Sequence, residues 1–74
     1  MELETKKEII EQKLEMWKQQ EYSLSIDIKI GKVAEDDGMI ERAKAQLKKT
    51  LIAMDVLKTE LEEMLQEENA IQSE

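Results

Sequence analysis

Val33-Ala34-Glu35-Asp36-Asp37-Gly38-Met39 divides the chain into two halves of similar length. On either side lie about thirty residues of helix-forming, periodically apolar sequence, and the chain has no proline. Gly38 can take a positive φ, and Asp36 or Asp37 can cap a following helix by accepting from its free N–H groups. A short turn between two long helices forces them antiparallel. The stretch therefore predicts an all-α chain, a single antiparallel two-helix hairpin, coiled-coil-like, with helix 1 over about residues 5–35, a turn at 36–38 and helix 2 over about 39–70.

The heptad pattern supports this. In helix 1, Leu3, Ile10, Trp17, Leu24 and Gly31 recur every seven residues, interleaved with Lys7, Leu14, Glu21, Ile28 and Glu35 at the 4-3 spacing of a seam. Helix 2 repeats it with Ile40, Leu47, Met54 and Leu61, and with Ala43, Thr50, Leu57, Met64 and Ile71. Leu51 and Leu65 widen that stripe toward the face of a bundle helix. The expected core within the hairpin is Ile10, Leu14, Trp17, Leu24, Ile28, Ile40, Leu47, Leu51, Met54, Leu57, Leu61 and Met64. Glu21 belongs at the margin, its stem packed and its carboxylate in water.

Folding near residue 37 brings together positions whose numbers sum to about 74. Ile10 then approaches Met64, Trp17 approaches Leu57, and Gly31 meets Ala43, unless the register shifts by half a heptad. Lys6 and Lys7 fall near Glu67 and Glu68. Gly31 inside a helix costs about 1 kcal/mol relative to Ala but lets a neighbour approach. It could instead end helix 1 near Ile30. Thr5-Lys6-Lys7-Glu8 fits a capping box at the start of helix 1.

One segment reads two ways. Residues 22–30, Tyr22-Ser23-Leu24-Ser25-Ile26-Asp27-Ile28-Lys29-Ile30, alternate apolar and polar as a half-buried strand does, though nothing else in the chain offers a pairing partner. As helix, the segment points Leu24 and Ile28 one way and Tyr22, Ile26, Ile30 and Val33 nearly the opposite way. Ile52 and Val56 likewise lie off the seam of helix 2. Apolar residues on two faces imply self-association. The expectation is a two-fold homodimer forming a four-helix bundle, with Tyr22, Ile26, Ile30, Val33, Ile52 and Val56 at the contact.

Composition narrows the function. The 74 residues include no cysteine and no histidine, so disulfides, thiolate or imidazole metal sites and histidine acid–base chemistry are absent. No Gly-rich phosphate loop or nucleophile motif occurs, and a hairpin offers no enclosed pocket. The expectation is a non-enzymatic protein without cofactors or metals. A net charge of −7 disfavours nucleic acid and anionic membranes. No apolar stretch is long enough to cross a bilayer and no signal-peptide core follows Met1, so a soluble cytoplasmic setting is expected.

Trp17 reads as a large seam residue or as a binding anchor, and Tyr22 equally as core or interface. Glu60, Glu63, Glu67 and Glu68 form an acidic surface near the end of helix 2, readable as solvated charge or as a contact for a basic protein. Two functions follow. One is a small structural or adaptor protein working by helix–helix contact with itself or an apolar-grooved partner. The other is an acidic regulator that neutralises a basic partner through Glu60 to Glu68 and Asp36/Asp37, in the manner of antitoxins and anti-repressors.

Overall fold

The computed structural model describes residues 1–72, with side chains through residue 68. It is a hairpin of two helices packed against each other, α1 (Leu3–Val33) and α2 (Asp37–Gln72), with no strand among the described residues. Residues 22–30 are helical and not a strand. Their alternation reflects two apolar faces on one helix. The Cα trace measures 60 × 15 × 15 Å with a radius of gyration of 17.0 Å, against about 11 Å for a compact domain of this length. The molecule is a rod.

The helix ends differ from the expected ones. α1 begins at Leu3 after an N-cap, Glu2, whose side chain makes no capping bond. Thr5 and Glu8 are therefore interior residues, and the capping box does not form. At the other end the chain leaves α1 through a Schellman motif. Asp36 N–H donates to Gly31 C=O at 2.9 Å and Glu35 N–H to Lys32 C=O at 3.3 Å. The left-handed residue this motif needs is Glu35, with φ 55°, and not Gly38. Gly38 lies in the first turn of α2 without a positive φ. Glu35 is thus a turn residue and not a member of the seam. Asp36 supplies the cap, its Oδ1 accepting from Met39 N–H at 3.0 Å while its carbonyl accepts from Ile40 N–H at 3.2 Å.

Gly31 stays inside α1 and is buried. A Cβ on it would lie 2.8 Å from Ile40 Cγ1 and 3.4 Å from Ile40 N. The missing side chain thus lets the start of α2 close onto α1. The residue across from Gly31 is Ile40 and not Ala43, so the register at this end is about half a heptad from a sum of 74. At the far end Lys7 Nζ meets Glu68 Oε2 at 3.1 Å, a pairing whose numbers sum close to 74.

The core is a narrow aliphatic seam. Ile10, Leu14 and Met54 are buried together, with Trp17, Leu57, Leu61 and Met64 packed around them. Leu24 and Ala43 are buried nearer the turn, and Ile28, Ile40 and Leu47 are half-buried. Thr50 is the most enclosed side chain, 1% exposed, its hydroxyl donating to Gln46 C=O at 2.8 Å. That bond satisfies the one polar group in the seam that burial would otherwise penalise. Glu21 is half-buried at the margin.

Leu51 departs from the expected core: it is 47% exposed, and Leu65 on the same row is exposed too. Two helices in contact cover only the two seam rows of each partner, and a third row needs a third helix. Ile71, the last member of the helix 2 series, lies outside the described side chains.

Candidate functional site

The candidate surface is the outside of the rod, because the inside holds only the seam. No helix among the described residues is long and apolar enough to cross a membrane. Among them, too, no three acidic side chains converge as a metal site. Trp17 packs on the core cluster and edges a shallow open groove with Lys13, Met16, Gln20 and Gln46. Every buried side-chain polar atom among the described residues has a hydrogen-bond partner, so no unpaired group points into that groove.

The sequence-predicted interface residues are mostly in water. Tyr22 is 70% exposed and Val33 88%; Ile30, Ile52 and Val56 are exposed by half or more, and Ile26 is half-buried. The structure does not bring the six together. With the seams of α1 and α2 facing each other, Ile26 and Val33 project from the side of α1 turned away from α2. Ile52 projects from the side of α2 turned away from α1. The α1 group and the α2 pair therefore stand on opposite long faces of the rod.

Further apolar side chains accompany them. Ile9 and Met16 are exposed on α1, on the same row as Ile30. Sequence reasoning misses both because each directly precedes a seam residue, Ile10 or Trp17, which draws the apolar signal to the inner row unless the outer row is followed at heptad spacing. Also missing from the expected core are Gly31, Ala43 and Thr50, which are buried. The signal that could have found them is their place in the seam series, outweighed by their small side chains.

The rod exposes more surface than a compact chain of its mass. A compact monomer of 8.7 kDa exposes about 4,700 Å², whereas this chain exposes 5891 Å². The excess, roughly 1,200 Å², follows from the 60 × 15 × 15 Å shape and counts polar and apolar atoms together.

The acidic end is also placed. Glu60, Glu63 and Glu67 are exposed along the last turns of α2, and no basic residue lies in its last turn. Glu68 is half-buried and engaged by Lys7. That ion pair sets a cation against the negative end of the α2 dipole.

Comparisons with protein-family models, with curated proteins and with solved structures find no match to this chain.

Proposed function

We propose that the chain is a small, non-enzymatic structural or adaptor protein that acts through helix–helix contact, first of all with itself as a homodimer of hairpins. One observation carries this reading. Large apolar side chains stand in water along the rod, on a surface larger than a chain of this mass exposes when compact. A cytoplasmic setting belongs to the same reading and rests on the acidic, cysteine-free composition. Sedimentation equilibrium over a wide concentration range tests it. The expected result is a species of twice the 8.7 kDa chain mass at micromolar concentration. A single 8.7 kDa species up to millimolar concentration overturns it.

A second reading has its own support in the exposed Glu60, Glu63 and Glu67. It is an acidic regulator that neutralises a basic protein through that end of α2. Charge-driven capture weakens steeply as salt rises, while apolar packing does not. Retention of a basic protein at low salt and its loss on moderate salt would favour this reading over the first.

A further inference from the structure

The outer face of α1 carries a second seam. Ile9, Met16, Ile26, Ile30 and Val33 fall on two rows that interleave at 4-3 spacing. The positions that complete those rows are Thr5, Gln12, Gln19 and Ser23, all exposed and all neutral. In a chain that is 39% charged, the two rows run the length of α1, about 42 Å, without one charged residue. The corresponding rows of α2 hold Ile52 and Val56, but Lys49 and Glu63 close that patch at both ends. Only α1 presents a continuous stripe, and a helix that covers it must be as long as α1 itself.

The borders of the stripe name the occupant. One border reads Glu8, Glu15, Tyr22, Lys29, and the other reads Lys6, Lys13, Gln20, Asp27. Each changes sign between its first and second half. Two antiparallel copies set each border against itself reversed, as flanking positions of antiparallel coiled coils do. Glu8 or Glu15 then faces the partner's Lys29, and Lys6 or Lys13 faces the partner's Asp27. Both heptad-compatible registers keep these signs opposite and set no like charges together. A parallel pair sets Glu8 beside the partner's Lys13 but leaves Asp27 and Lys29 without opposite charges.

We infer that the outer stripe of α1, Thr5 to Val33, is the docking face for a second copy of this chain, bound antiparallel through α1. The inference rests on the self-association proposed above and specifies its face and direction. The stripe lies roughly 150° around α1 from the seam that holds α2. The dimer is therefore a layer with the two α1 helices in the middle and each α2 outside, leaving Ile52 and Val56 uncovered.

The test is sedimentation equilibrium of the full chain and three variants, with helicity followed by circular dichroism. Ile26→Asp and Met16→Glu each place a charge in the stripe and should weaken the dimer about 100-fold with helicity retained. Met16 is 68% exposed in the hairpin, so its variant does not depend on folding tolerance at Ile26. Ile52→Asp, on the opposite face, should leave the dimer within about threefold. A wild-type monomer overturns both the inference and the self-association reading. A dimer that survives both stripe variants and is lost in Ile52→Asp overturns the inference alone.

Direction is read separately with pyrene on single cysteines, which the cysteine-free chain accepts cleanly. Gln19→Cys, within about two residues of the two-fold axis in either register, should give excimer emission, and Thr5→Cys should give none. Excimer from Thr5→Cys means a parallel dimer and overturns the antiparallel arrangement.

Discussion

The turn half and the open half of the hairpin solve the same packing problem by opposite means. Near the turn small side chains let the helices close: Gly31, Ala43 and Thr50 are buried there beside Leu24, and Gly31 lets Ile40 reach the α1 backbone. Toward the open end they are held by bulk, with Ile10, Leu14 and Met54 enclosed by Trp17, Leu57, Leu61 and Met64. The turn half should therefore be sensitive to added atoms and the open half to removed ones.

Substitutions can break that contrast. The largest effect is expected for Gly31→Leu, which drives a side chain into a space where even a Cβ lies 2.8 Å from Ile40. The gain in helix propensity is about 1 kcal/mol, and the overpacking outweighs it, for a net loss of about 3 kcal/mol. Urea denaturation followed by circular dichroism measures this, and an unchanged midpoint would mean that the helices do not close on Gly31. Leu14→Ala in the open half should cost about 2–3 kcal/mol by leaving a cavity in the seam. The same truncation at Leu51, 47% exposed, should cost under about 1 kcal/mol in the monomer. Equal losses at the two sites would show that Leu51 is covered in solution.

Smaller effects probe the turn itself. Asp36→Ala removes the acceptor for Met39 N–H and should lower stability by about 1 kcal/mol. Glu35→Gly should move the other way, raising the melting temperature by relieving about 1 kcal/mol of left-handed strain at φ 55°. A drop in melting temperature would contradict a left-handed Glu35. The smallest expected effect is Lys7→Met at the open end. The Lys7–Glu68 pair is partly exposed and contributes about 0.5 kcal/mol, a difference that high salt should erase.

The two faces of α1 are legible in the sequence to different degrees. The inner seam follows from intervals of seven, which only a helix can gather on one side. The outer stripe is legible in part: Ile26, Ile30 and Val33 lie close together along the chain, whereas Ile9 and Met16 stand beside the seam residues Ile10 and Trp17 and are read with them. Gly38 misleads for a physical reason. Glycine is the residue that most easily takes a positive φ, so it draws the prediction. Here the Asp36 cap starts α2 one residue before Gly38, and the left-handed position falls on Glu35.

Heptad spacing, the absence of proline and the Asp36-Asp37-Gly38 turn chemistry are enough, from sequence alone, for two long antiparallel helices and an acidic, cysteine-free surface. These are local properties, set by backbone propensity and side-chain periodicity, and they can be read within a few turns of chain. Tertiary structure decided the rest: that Ile40 and not Ala43 meets Gly31, that Leu51 stays in water, and that the α1 and α2 outer patches face opposite ways. Those outcomes depend on how closely two helices approach and how they are rotated about their axes. Both are set by the summed shapes of side chains far apart in the chain, and no single segment carries that information.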